Sequence, residues 1–345
     1  MTESIQPAVW FLAIRTGSGA DVFTQTLCQG LREAGFRTEI TWLPHHAEYA
    51  PWTVSRPQPP DWSNIVHLNT WLPKKFLPNS RPFVTTTHLC THDPALTPYK
   101  TRAQRFYHRY WIQPMEASVI RCAERTVAVS HYTAEKTREV FDISTVEVIY
   151  NGVDTQKTFK CSPCQHPHSP FRLIYAGNWS RRKGVDLLPQ IMTRLGDDYR
   201  LDITAEPSEW DQSLPPPSNC RFLGRLHSKR DMAAAYCKAN ALIFPSRMEG
   251  LPLAVIEALS CGLPVITTDG YAMPEIIKNN VTGFLCPLDD VDAFVAAARR
   301  LATEHDLYPQ QSQSARERAE LVFNRDTMIA NYLAVYRDCL RYCKN

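Results

Sequence analysis

The 345-residue chain has no apolar run approaching the ~20 residues that a helix needs to span a bilayer. Its N-terminus, MTESIQPAVWFLAI, carries an acid and no cationic leader ahead of a short apolar run, so it reads as a first strand and not as a signal peptide. Charge of one sign is scarce too. A net charge of +3 with 21% charged residues gives no global footprint for nucleic acid and no acidic disordered tail. Eleven cysteines, an odd number, are scattered from Cys28 to Cys343 without a paired framework, the pattern expected of reduced thiols in a cytoplasm. No repeat with a period of about 20–50 residues is visible, and the LPPP at 214–217 is the only low-complexity tract.

What is present is a chain that is 44% hydrophobic and long enough for two domains, each with its own core. Short apolar runs, AVWFLAI (8–14), NIVHL (64–68), PFVTTT (82–87), TVAVS (126–130) and VEVIY (146–150), alternate with helix-period segments such as 21–35, where Phe23, Leu27 and Leu31 share a face. Buried strands alternating with amphipathic helices predict a doubly wound parallel α/β sheet. A polar, proline-bearing stretch interrupts the pattern, and a second series follows with FRLIYAG (171–177), YRLDITA (199–205), CRFLG (220–224), ALIFPS (241–246), LPVITT (263–268) and TGFLCP (282–287). The expected division is 1–155, a linker 156–170, 171–322, and a terminal helix at 323–345 that could pack back on the first domain. Ligand is expected in a cleft between two Rossmann-like halves, where strand carboxyl ends meet.

Several stretches carry candidate chemistry. In ALIFPSRMEGLPLAVIEALSCG a strand runs through a loop into a helix, and Pro252 suits the first helical position. The amides of Gly250, Leu251 and Leu253 flank Pro252 at that helix start and form an anion site. Glu249 lies just before the helix and Glu257 about five residues into it, placed to accept hydroxyls at two ends of a sugar–diphosphate–ribose ligand. In YAGNWSRRKG (175–184) the cations Arg181, Arg182 and Lys183 follow a strand end, where they would neutralise a diphosphate. The turn AIRTGSGADV (13–22) places Gly17 and Gly19 where backbone could approach a ligand, but Val22 replaces the third glycine of a dinucleotide fingerprint. His88 ends the strand PFVTTTH and would project into the cleft, with His92 and Asp93 following.

Two further features have competing readings. CSPCQHPH (Cys161, Cys164, His166, His168) looks superficially like a zinc site, but no second pair has matching spacing, so no metal is expected. YKTRAQRFYHRYW (99–111) sets Lys100, Arg102, Arg105 and Arg109 among aromatics on a predicted helix, and residues 71–125 hold nine Lys/Arg against three Asp/Glu. It is either a surface for an anionic membrane or lipid-linked acceptor, or a solvated helix with a core-facing aromatic stripe.

EGLPLAVIEALSCGLPVITTDG closely resembles the hallmark of the family 4 retaining glycosyltransferases, whose two glutamates are separated by seven residues. The Arg182–Lys183 loop is similar to that of lipopolysaccharide core glucosyltransferases in the same family, although many members place an arginine where Asn178 stands. Residues 117–135, 147–154, 220–246 and 273–287 also look like family segments, and the resemblance extends from about residue 8 to 340. It implies the two-Rossmann GT-B architecture and transfer of a hexose with retention from a nucleotide diphosphate sugar, UDP favoured. The acceptor would be a glycan, a lipid-linked molecule or a small molecule in cell-envelope or polysaccharide synthesis. Glu249 would hold sugar hydroxyls, Glu257 the ribose, and Arg182 and Lys183 the diphosphate; Gly17 and Gly19 would lie over the phosphates and His88 near the sugar. No DxD motif sits at a strand end, so no metal or other cofactor is expected, nor nucleic acid. The alternatives are a GDP-mannose-dependent mannosyltransferase, or a phosphorylase or epimerase on the same scaffold.

Overall fold

The computed structural model describes residues 6–161, 167, 169–210 and 215–342. The chain divides into two units, residues 1–151 with 325–345, and residues 152–324.

In the first unit β1 (Val9–Ile14) runs into α1 (Gly19–Glu33), followed by β2 (Thr38–Leu43), β3 (Ile65–Asn69) and β4 (Phe83–Thr87). A helical run, α2 (Arg102–Tyr107), a π turn over His108–Ile112 and α3 (Gln113–Cys122), leads to β5 (Arg125–Ala128), α4 (His131–Phe141) and β6 (Glu147–Val148). All pairings are parallel, in the order β2-β1-β3-β4-β5-β6. Of these strands β2 was not anticipated: TEITWL alternates Thr38, Ile40 and Trp42 with Glu39 and Thr41, and it lies half-buried at the sheet edge. Every β1 residue is buried, which is why that strand reads as a continuous apolar run.

The second unit has β7 (Phe171–Tyr175), α5 (Leu188–Leu195), β8 (Tyr199–Ile203), β9 (Cys220–Phe222), α6 (Lys229–Tyr236) and β10 (Ala241–Phe244). It continues through α7 (Leu253–Ser260), β11 (Val265–Thr268), α8 (Met273–Ile276), β12 (Gly283–Cys286), α9 (Val291–Thr303) and α10 (Leu307–Val322). Its parallel sheet runs β12-β11-β10-β7-β8-β9. Leu173, Leu201, Leu242 and Val265 are fully buried in it, as are Ile191 of α5, which packs on β8, and Phe294 of α9, which packs on β11 and β12. The chain leaves β7 towards one edge and β10 towards the other, so the gap between their carboxyl ends is the switch point where open α/β sheets bind ligands.

Helix α11 (Arg325–Tyr342) closes the first unit. Met328, Ile329, Tyr332, Leu333, Tyr336 and Leu340 share one core with Val9, Phe11, Phe23 and Leu27. At about 1.5–3 kcal/mol per fully buried large side chain, this face is a substantial part of the unit's stability. Two hydroxyls fix its register: Tyr336 meets His67 Nδ1 at 2.7 Å and Tyr332 meets Thr86 at 3.0 Å.

Candidate active site

The switch point of the second unit is built by the loops after β7 and β10. Gly184 ends the 181–183 turn at φ +69, and a Cβ there would lie 2.0 Å from the Pro245 carbonyl oxygen, so glycine is what allows the two loops to touch. Arg247, nearly buried, then binds them together. Its guanidinium donates to both Asp186 oxygens (2.7 and 2.8 Å), to Asp289 (2.6 Å) and to the Arg181 carbonyl, and its amide donates to the Arg182 carbonyl (2.8 Å). Arg247 stands inside the SRMEG loop, yet residue type gave no sign that it would turn inward.

This frame presents Lys183 and Arg182 to Glu249. Lys183 Nζ lies 2.5 Å and Arg182 Nη1 3.5 Å from Glu249 Oε1, and Ser246 Oγ donates to the same oxygen at 2.5 Å. Arg182 also donates to the Met248 carbonyl (2.6 Å), and Lys183 lies over the Phe244 ring. Burial by itself pushes the Glu249 carboxyl up, but Lys183 and Arg182 outweigh it and hold the group below its usual range. For Lys183 burial is the larger effect and pulls the ammonium below its ordinary value, against the pull of Glu249. Arg181 is exposed and offers the cluster its carbonyl.

The sequence reading of Pro252 needs correction. Helix α7 begins at Leu253 and Pro252 is its N-cap, with extended backbone (φ −71, ψ 124). Gly250 and Leu251 therefore belong to the loop, and the orphan donors shift to Leu253 and Ala254, whose amides have no preceding helical turn to bond. Glu257, one turn further, borders a cavity of about 250 Å³ with Gly177, Asn178, Arg225, His227 and Ala254. Burial pushes its carboxyl up to about 7, against the Tyr236 hydroxyl that donates to Oε2 at 3.3 Å and the more distant Lys229. Tyr236, Arg225 and His227 escaped the sequence reading because they lie on α6 and the loop before it, remote from the glutamate motif.

The remaining sequence candidates lie in the first unit. Gly17, at φ +70, donates its amide to Asp21 (2.7 Å), and open space surrounds Gly17 and Gly19. His88 is half-buried, edge-on against Phe23 (4.7 Å); desolvation of its ring pushes it down to about 4, so it is neutral. His92 Nε2 meets the buried Glu116 at 2.7 Å, and Thr70 donates to that carboxylate at 2.6 Å. Asp93 caps Ala95 and accepts from Tyr132. Around the ends of β3 and β4, Asn69 Oδ1, Thr87 Oγ1, His88 Nε2, Thr91 Oγ1 and His108 Nδ1 are buried without a hydrogen-bond partner.

The basic stretch differs from its expectation. The helix starts at Arg102, and Lys100 precedes it, half-buried, with its ammonium donating to the Thr91 carbonyl. Arg102, Arg105 and Arg109 are exposed, as are Phe106 (68%) and Tyr110 (67%), so the aromatics form no core-facing stripe. Tyr107 and Trp111 donate to the Glu48 carboxylate and carbonyl, docking the run on a segment where Tyr49 and Trp52 (70%) are also exposed. Among the described residues no helix is long and apolar enough to cross a membrane. Of the CSPCQHPH residues, Cys161 is described and bonded to Cys237, while Cys164, His166 and His168 lie outside the described residues.

Two parallel doubly wound units, the second with a carboxylate–cation cluster at its switch point, define an α/β GT-B fold. Residues 160–318 match the family described as Glycosyl transferases group 1, and residues 62–157 match Glycosyltransferase Family 4. The chain is 26% identical over 230 residues to N-acetyl-alpha-D-glucosaminyl L-malate synthase of Bacillus anthracis, covering 63% of this chain and 60% of that one. It is 40% identical over 198 residues to amylovoran biosynthesis glycosyltransferase AmsK of Erwinia amylovora, covering 52% and 47%. The chain thus spans about half the length of the curated relatives it matches. Anabaena Alr3699/HepE, solved in complex with UDP, has the same fold, with a TM-score of 0.72 at 15% identity over 96% of this chain and 100% of that one.

Proposed function

We propose that the chain is a retaining, metal-independent hexosyltransferase that uses a UDP-linked hexose. The acceptor is a hydroxyl of a glycan, a lipid-linked molecule or a small molecule in cell-envelope or polysaccharide synthesis. The observation that carries this reading is Glu249 held at 2.5 Å by Lys183 beside Arg182, four residues ahead of the α7 amides. Arg182, Lys183 and the amides of Leu253 and Ala254 receive the diphosphate, and Glu257 with Tyr236 receives the ribose hydroxyls. Glu249 accepts sugar hydroxyls. Tied to an ammonium, it is a poor base, so the departing diphosphate takes the acceptor proton. Stabilising that leaving group is the main contribution to catalysis, and the cations supply the positive charge. The UDP complex of the HepE fold relative favours UDP.

On the first unit, the unpartnered polar atoms around the ends of β3 and β4 suit a hydroxyl-rich acceptor, with His88 as a neutral contact. The exposed Phe106, Tyr110 and Trp52 beside Arg102, Arg105 and Arg109 suit the inner face of a cell membrane carrying anionic lipid.

The test is a panel of UDP-, GDP- and ADP-hexoses, read by thermal shift and by the nucleoside diphosphate released, with and without EDTA. UDP donors should raise the melting temperature. GDP-mannose alone doing so would replace the donor, activity only with inorganic phosphate would mean a phosphorylase, and donor turnover without any acceptor an epimerase. An inverted product by NMR would overturn retention.

A further inference from the structure

Three sulfurs from separate elements meet behind the cavity of the second unit. Cys161 lies shortly after Phe159, Cys237 ends α6 next to Tyr236, and Cys261 ends α7 one turn beyond Glu257. Cys161 and Cys237 form a disulfide with Cα atoms 5.4 Å apart, and Cys261 remains a buried thiol whose Sγ lies within 4.8 Å of both. This corrects the expectation of uniformly reduced cysteines. Cys237 is exposed, so a thiolate in solution can reach it.

We propose that Cys161, Cys237 and Cys261 form a thiol–disulfide exchange site, taking a small thiol or dithiol, that sets how Tyr236 and Glu257 hold the donor; this rests on the donor reading above. The connections are direct. Tyr236 donates to Glu257 and is bonded in sequence to Cys237, while the Cys261 amide donates to the Glu257 carbonyl at 3.0 Å. Ser260 Oγ donates to the Phe159 carbonyl at 2.7 Å, tying the Cys161 segment to the same helix end. The bond to Cys161 therefore anchors the end of α6 that carries Tyr236.

In the exchange a thiolate attacks Cys237 Sγ, the bond to Cys161 breaks, and Cys161 leaves as a thiolate that takes a proton. A dithiol completes the step: its second thiolate attacks its own sulfur in the mixed disulfide, releasing Cys237 and departing oxidised. Cys261 is the internal alternative, because its attack on Cys237 forms a 237–261 bond and frees Cys161 with no outside reagent. Burial pushes the Cys261 thiol up to about 12, which keeps it protonated and leaves the resting bond on Cys161.

The experiment compares the full chain after oxidised glutathione and after dithiothreitol, mapping thiols by alkylation and peptide mass spectrometry and measuring UDP-hexose affinity by calorimetry. A Cys161–Cys237 linked peptide should appear only in the oxidised form, and reduction should weaken binding about fivefold, the low end of coupling between sites. The double variants C161S/C261S and C237S/C261S, each left with one of the three sulfurs, should match the reduced affinity and ignore dithiothreitol. Absence of the linked peptide, or stoichiometric zinc held by the three thiols, would overturn the site. Equal affinity in both states overturns the coupling alone. Absence of binding in both states overturns the donor reading and the coupling with it, while the linked peptide still reports on the exchange chemistry.

Discussion

If Glu257 receives the ribose hydroxyls, it must do so as a carboxylate, and its elevation to about 7 makes donor affinity depend on pH in the neutral range. The ionised fraction rises from roughly 0.1 at pH 6 to roughly 0.9 at pH 8, so the dissociation constant should fall about tenfold, or about 1.4 kcal/mol. An intact UDP-hexose is the right probe, because its diphosphate has no ionisation near neutrality to confuse the slope. Glu257→Gln should abolish the slope and weaken binding at pH 8 by about 1.5–3 kcal/mol, the contribution of a hydrogen bond to a charged group. Calorimetry across pH 6–8 checks both. A flat wild-type profile, or a slope that survives in the Gln variant, would refute the reasoning. The free protein should show the reverse trend. A carboxyl raised from 4.5 to about 7 holds its proton in the folded state, so stability falls as pH climbs through that interval, by up to roughly 3 kcal/mol.

Lys183→Met leaves Glu249 buried beside only Arg182 and Ser246, and should cost about 3–5 kcal/mol in urea unfolding as well as most of the turnover. Adding Glu249→Gln should recover much of that stability but none of the turnover, and simple additivity would argue against a coupled pair. Gly184→Ala places a methyl carbon against the Pro245 carbonyl at positive φ, so the melting temperature should drop by several degrees with a raised KM for donor; an unchanged melting temperature would show the loops are not locked. Replacing Trp52, Phe106 and Tyr110 together by Ser should abolish co-sedimentation with anionic vesicles while leaving thermal stability and transfer to a soluble acceptor unaltered. Sedimentation that persists would locate any membrane contact elsewhere.

The strands that were legible in the sequence are those buried on both faces, such as β1 and β10, where continuous apolar runs leave little ambiguity. Strand β2 was missed because an edge strand mixes Glu39 and threonines into its pattern. The glutamate motif and the RRK turn were visible because loop chemistry is local. Their partners were not: Arg247 reaches Asp186 across 61 positions and Cys161 reaches Cys237 across 76, and side-chain direction over such separations depends on packing that no residue spacing encodes. Pro252 was misplaced by one position because proline satisfies the backbone demands of both the cap and the first turn.

The contribution of α11 to the first core has a consequence for synthesis on the ribosome. Residues 152–324 form a contiguous unit whose sheet can close as soon as it emerges. The earlier-made β1, β3 and β4 must wait for Tyr332, Tyr336 and their neighbours, made some 250 positions later by the spacing of Thr86 and Tyr332. Order of translation and order of completion are thus inverted: the first half of the protein to be made is the last to be finished. A stop codon or proteolytic nick near residue 325 would spare the later unit and expose the apolar face of the earlier one.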